Sequence, residues 1–272
     1  MQNYRPVLGL TPAVKMLLLL NVIMYFLPSL LGQNVHDLFY EKFCLHLPQS
    51  SYWYPWQYIT HMFLHADISH LFFNMFAVFM FGRILENIWG SKRFLIYYFV
   101  CGIGAGILNS AIGWFEVQEL MKQLAEFKTN PTPTFFADVV KEQIAHPHPD
   151  LWQFIDTWIN EPNSPQLIQQ GTFLFQKIID NNINGAMLGA SGAVFGILLA
   201  FGMLFPNTPL YLMFIPIPIK AKYFVIGYGL IEIYLGLQNN PADNIAHFAH
   251  LGGMLFGFLL LKFWNKNRRK FY

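Results

Sequence analysis

Four polar side chains stand at the heads or inside of runs that are otherwise almost wholly apolar. His70 and Asn74 open the run Leu71–Ile88, Ser191 follows Gly189 and Ala190 and precedes Gly192, and His250 lies in Ala246–Trp264. A serine hydroxyl becomes a nucleophile when an imidazole takes its proton, and that imidazole can return it to a leaving amine. Ser191 and His250 are the candidate catalytic pair. Gly189 and Gly192 leave little bulk beside the hydroxyl, and unpaired amides at a helix start can hold an oxyanion. His70 and Asn74, one helical turn apart, share a face and could both donate to it. No Asp or Glu is expected at this level to orient His250, so a dyad rather than a triad is anticipated. Glu232 has no evident partner in sequence; an interhelical hydrogen bond is expected of it, and no catalytic role.

Each motif alone fits a blander purpose. Gly-x-Ser-Gly commonly marks close helix packing, and Gly252, Gly253 and Gly257 fit a packing face. Depth argues for one site. Ser191, Asn74 and His250 each lie fourteen residues from the inner end of their runs, at Phe205, Ile88 and Trp264. At 1.5 Å per residue this is about 21 Å of a core about 30 Å thick, so all three sit roughly 9 Å under one face.

The elements that carry these residues follow from composition. Of 272 residues, 54% are apolar and 12% charged, against about a quarter charged in soluble domains. That excludes a disordered chain, and a net charge of +2 without a basic stripe excludes a nucleic-acid partner. Cys44 and Cys101 form no disulfide framework or C-x-x-C metal pair, and neither a cofactor nor a metal is expected.

Six apolar runs read as spans: Val14–Leu31, Leu71–Ile88, Phe94–Trp114, Ala186–Phe205, Ala221–Leu237 and Ala246–Trp264. The fold class is therefore all-α, a polytopic protein in a lipid bilayer. Tyr211–Ile219, with Pro216 and Pro218, is too short to span and reads as an interfacial loop. The first run lacks a small-x-small site before Pro28 and is not read as a signal peptide. Arg5, Lys15, Lys92, Arg93, Lys220, Lys222, Lys266, Arg268, Arg269 and Lys270 gather on one side, which predicts two cytoplasmic termini. A bacterial cytoplasmic (inner) membrane is the expected location.

Residues 115–185 interrupt this pattern with nine acidic residues against four lysines. Val117–Phe127 and Leu151–Ile159 have helical spacing, whereas Asn130–Thr134 and His146–Pro149 are proline-rich breaks. The division expected is 1–114 with spans one to three, 115–185 as an external helical insertion, and 186–272 with spans four to six and a basic tail. His146 and His148 lack a third ligand within sequence reach.

With H-x-x-x-N at His70–Asn74, G-A-S-G at Gly189–Gly192 and A-H-x-x-G-x-x-x-G at Ala249–Gly257, the chain resembles the rhomboid family of intramembrane serine proteases. The match covers Tyr54–Gly113 and Asn184–Phe263, and Glu86 with Gly90-Ser91 and Pro216–Lys222 also look like family features. The resemblance implies Ser191 as nucleophile, His250 as base, and His70, Asn74 and the Ser191 amide as oxyanion hole. Only His250, not His247, has glycines three and seven residues later, at Gly253 and Gly257. It implies that Phe195 replaces a tyrosine stacking on the catalytic histidine, that Glu86 pins neighbouring helices, and that Gln57 replaces an arginine after Trp56. It further implies transmembrane proteins as substrates, cut near the outer face. An inactive rhomboid-like protein that binds membrane clients is the alternative. A transporter would need repeated halves with paired intramembrane acids, and a site-2-type zinc protease would need H-E-x-x-H; neither pattern is present.

Overall fold

Pro12 starts the first long helix, since its fixed φ suits a first helical position and its missing N–H costs nothing there. The computed structural model describes residues 9–212, 215–238, 240–243 and 245–266. Helix α1 spans Pro12–Leu30, and the free amides of its first turn are capped from afar. Glu86 accepts from Ala13 N at 2.8 Å, Val14 N at 2.9 Å, the Thr11 hydroxyl and Ser91 Oγ at 2.6 Å. One buried carboxylate thus joins three helices by satisfying donors that water cannot reach.

A short helix α2 (Gln33–Phe43), strand β1 (Leu45–His46), α3 (Gln57–Thr60) and a 3-10 turn (His61–Phe63) build the first loop. Asp67 then caps a helix running from Ile68 to Trp89, made of α4 (Ile68–Ala77), a π-turn (Val78–Gly82) and α5 (Arg83–Trp89). Gly90, at φ +78°, turns the chain sharply into α6, Ser91–Thr129. This helix has 39 residues, about 58 Å at 1.5 Å each, nearly twice a hydrocarbon core. No proline interrupts it before Pro131, so the expected boundary at 114/115 falls inside one continuous helix.

Helices α7 (Pro133–Gln143), α8 (Pro149–Asn160) and α9 (Pro165–Asn184) each open on proline. With the far end of α6 they close their own core around Phe127, Phe136, Trp158 and Phe175. The rings of Phe127 and Phe175 lie 5.5 Å apart, and those of Phe127 and Trp158 5.9 Å apart.

The expected fourth span begins later than its apolar pattern. Ala186–Met187 form strand β2, antiparallel to β1, with His46 opposite Ala186. Only then does α10 begin, at Ser191, running to Leu204. Pro209–Leu212 (β3) and Ile215–Lys220 (β4) pair antiparallel within the stretch expected as an interfacial loop, so the predominantly helical chain also carries two small two-stranded sheets. Helices α11 (Ala221–Gln238) and α12 (His247–Lys266) complete the described chain. Among the described residues, three helices are long and apolar enough to cross a membrane: Pro12–Leu30, Ile68–Trp89 and Ser91–Thr129. The apolar helix Ser191–Leu204 is shorter. Arg5, Arg268, Arg269 and Lys270, used to orient the chain, lie outside the described residues.

Helix α10 is central, against α6 and α12. A side chain at Gly253 would run into the Gly192 carbonyl, one at Gly192 into Ala105, and one at Gly257 into the Tyr97 hydroxyl. Glycine at these points lets the backbones approach, and the approach sets the site.

Candidate active site

Ser191 is the first residue of α10, and the turn before it is imposed by Gly189. Its φ of +121° is strained for any residue with a Cβ. The Gly189 amide donates to the His61 carbonyl at 2.9 Å, tying this turn to the first loop. The first intrahelical bond of α10 is Val194 N to Ala190 O, so the amides of Ser191, Gly192 and Ala193 have no partner within the helix.

The Gly189 turn also gathers the donors. A Cβ placed there would lie 2.7 Å from His70 Cε1, 2.8 Å from His70 Nε2 and 3.7 Å from Ser191 Oγ. The His70 ring and the serine hydroxyl therefore border the same small space. His70 Nδ1 accepts from the Ala66 amide at 3.4 Å, which leaves the ring proton on Nε2, facing that space. Asn74 Nδ2 donates to the His70 carbonyl at 2.9 Å, and that residue is buried on the same face of α4.

Phe195, one turn beyond Ser191, stacks on His250 with centroids 4.1 Å apart and planes 7° from parallel. The stack holds the imidazole alongside the face of α10 that carries Ser191. On its other side Phe195 meets Tyr228 of α11 at 4.9 Å.

One expectation is overturned outright. His250 Nδ1 lies 2.9 Å from Glu232 Oε2, and the same oxygen lies 2.6 Å from His247 Nδ1. His247 Nε2 in turn lies 3.0 Å from Asp243 Oδ2. A carboxylate does stand at the level of His250, on α11. Depth arithmetic could have found it: Glu232 is six residues from the end of α11 at Gln238, about 9 Å, the depth already inferred for Ser191. It was missed because the carboxylate and imidazole belong to different helices, and no periodicity links them.

Glu232, His247 and His250 also bring three metal-ligand atoms within 4.8 Å. Their spacing is that of hydrogen bonds. Nitrogen and oxygen ligands sharing one tetrahedral zinc stand about 3.3 Å apart, whereas both imidazoles here approach one oxygen more closely.

Gln57 stands where the resemblance places an arginine, and its amide bonds backbone groups of the first loop. Fully buried, it accepts from His46 N at 3.3 Å and Tyr54 N at 3.2 Å, and donates to Tyr52 O at 2.8 Å. Trp56 Nε1 donates to Lys42 O at 3.1 Å. His61 Nδ1 lies 2.7 Å from the Gln57 carbonyl oxygen, so the loop is bonded through to the Gly189 turn.

Residues 52–115 and 168–266 match the Rhomboid domain model, and the chain belongs to the rhomboid family. An uncharacterised mitochondrial rhomboid protein of Schizosaccharomyces pombe is 29% identical over 224 residues, 80% of this chain and 53% of that protein. The mitochondrial RHOMBOID-like protein 6 of Arabidopsis thaliana is 46% identical over 205 residues, 75% of this chain and 42% of that protein. The rhomboid protease AarA of Providencia stuartii is 34% identical over 62 residues, 23% of this chain and 22% of that protein. The chain thus spans about half the length of the two relatives matched most broadly. Both carry mitochondrial names, which overturns the expected bacterial cytoplasmic membrane and with it the cytoplasmic assignment of the termini. The charge pattern misled because it reports sidedness and says nothing about which bilayer is crossed.

Proposed function

We propose that this chain is an intramembrane serine endopeptidase that cuts single-pass transmembrane proteins. The observation that carries the reading is the convergence at the head of α10. Ser191 borders the His70 ring through the Gly189 turn, while Phe195 on the same helix holds His250. In this reading α1, the helix Ile68–Trp89, α6, α10, α11 and α12 make six crossings, and residues 115–185 form the external insertion.

His250 Nε2 takes the Ser191 proton as Oγ attacks the scissile carbonyl carbon. The negative charge that develops on the carbonyl oxygen is met by His70 Nε2–H, the Asn74 amide and the Ser191 N–H. When the C–N bond breaks, His250 returns the proton to the amine, leaving an acyl-enzyme on Ser191. Water, deprotonated by His250, then releases the acid and restores the hydroxyl.

A fluorophosphonate probe tests the assignment in the detergent-solubilised protein. Labelling at Ser191, absent in Ser191→Ala, together with cleavage of a transmembrane model substrate, is expected. A folded protein that neither takes the probe nor cuts a panel of such substrates refutes it.

A further inference from the structure

Four titratable groups form an unbroken chain of hydrogen bonds behind the proposed base: Asp243, His247, Glu232 and His250. Glu232 is 3% exposed, His247 6% and His250 8%, whereas the Asp243 side chain is 28% exposed. The chain therefore runs from a carboxylate at the water to an imidazole in the interior. Phe195 covers one face of that imidazole, so its ring nitrogens are its only polar outlets.

Proton positions follow from donor and acceptor rules. An ionised carboxylate only accepts, so the His250 nitrogen facing Glu232 Oε2 carries hydrogen. That proton on Nδ1 leaves Nε2 with its lone pair, the tautomer a general base requires. His247 has a carboxylate oxygen at each nitrogen, 2.6 Å and 3.0 Å away. Both nitrogens must then donate, and a ring with two N–H groups is an imidazolium.

We propose that Glu232 is a positioning residue that fixes His250 with its proton on Nδ1 and Nε2 open to Ser191, and that His247, held by Asp243, is the cation that keeps this buried carboxylate ionised. The proposal rests on the endopeptidase reading for its catalytic meaning. A buried carboxylate is costly without a paired charge, and His247 supplies that charge without occupying His250. The resting cluster sums to −1, from two carboxylates and one imidazolium. Its net charge becomes zero when His250 takes the serine proton, and the negative charge then stands on the oxyanion of the tetrahedral state. Among the described residues, the other titratable groups facing the cluster are Tyr228, on α11 beside Glu232 and Phe195, and His70, on α4. Neither is an acid that could replace Glu232.

The test uses the full chain in detergent, with a transmembrane substrate and 15N-histidine NMR. Glu232→Gln is expected to lower kcat by about 10²–10⁴ with KM within threefold, since an amide can present either end and stabilises the wrong tautomer. Its acid limb in kcat/KM should move to lower pH, because Glu232→Gln removes the carboxylate that faces His250 and would offset its charge. His247→Gln should move that limb in the same direction but by less, because Glu232 without its cation takes up a proton and no longer offsets the charge on His250. Glu232→Asp should recover part of the rate and the wild-type direction of the limb; a structural role predicts no such split. Should Glu232→Gln fail to fold, the Asp and His247 variants carry the kinetic test.

The NMR readout separates the two claims. Protonated Nδ1 on His250 in wild type, lost in Glu232→Gln, is expected whether or not the protein cuts anything. Wild type that cuts, with Glu232→Gln matching it in rate, limb and tautomer, overturns this proposal alone. An inert wild type with the expected tautomer leaves Glu232 as the positioning residue and overturns the endopeptidase reading. Stoichiometric zinc in the purified protein, lost in Glu232→Gln, would also overturn the proposal.

Discussion

At the scale of single residues the site separates two histidines that the sequence leaves three positions apart. His250 stacks on Phe195 beside Ser191, whereas His247 points to Glu232 and Asp243. Ser191→Ala and His250→Ala are each expected to abolish cleavage with the fold intact, because nucleophile and base act as a unit. His247→Ala, which removes the supporting cation but not the base, should lower the rate less than His250→Ala; the reverse order, read by substrate cleavage, would reassign the base. His70→Ala should lower kcat by about 10²–10³ with little change in KM, since an oxyanion donor acts on charge present only in the tetrahedral state. Unchanged kcat with much poorer binding would place His70 in recognition. Chelators should leave the rate untouched, as Ser–His chemistry needs no ion.

At the scale of elements, two devices hold the helices in register. Glu86 accepts four hydrogen bonds from α1, its N-cap Thr11 and Ser91. Glu86→Ala leaves those donors unsatisfied and should cost about 1–3 kcal/mol, read as a lowered midpoint of thermal unfolding. The first loop carries a pH dependence of definite sign. His61 is fully buried between α3 and α4, and burial pushes its imidazole down to about 4. Its folded value lies below its ordinary one of 6.5, so the loop is fully stable above pH 6.5 and loses stability as pH falls toward 4. Unfolding midpoints at pH 7 and pH 5 should diverge in wild type and diverge less in His61→Gln, where buried His65, its imidazole pushed down to about 3, still adds acid sensitivity. Equal divergence in both would assign the acid sensitivity elsewhere.

For the whole molecule, the membrane bundle and the insertion have separate cores joined through α6, which passes from one into the other. The proposed site lies within about 9 Å of one face of the bundle, so water and substrate reach it from that side. An intact substrate helix hides its peptide bonds among its own hydrogen bonds, and freeing them in lipid is costly. A substrate with Gly or Pro near the outer end should be cut faster than one in which Leu replaces it. Equal cleavage of a uniformly Leu-rich helix would show that local unwinding does not limit selection.

Read by itself, the sequence made plain whatever depends on local spacing. Apolar runs marked helices from Pro12–Leu30 to His247–Lys266, the 3.6-residue period marked the helical stretches 117–127 (the far part of α6) and 151–159, and the His70–Asn74, Gly189–Gly192 and Ala249–Gly257 motifs marked the proposed site. Tertiary structure alone decided what depends on packing. The strand pairing of Leu45–His46 with Ala186–Met187 joins residues about 140 positions apart, and it delays α10 until Ser191. Gln57 organises the first loop through backbone groups that no spacing rule selects. Glu232 meets His250 where α11 packs against α12, an approach that Gly229 and Gly236 allow by facing Met254, His247 and Phe248. Periodicity constrains which residues share a helix face; which faces meet is settled by the close packing of the folded chain.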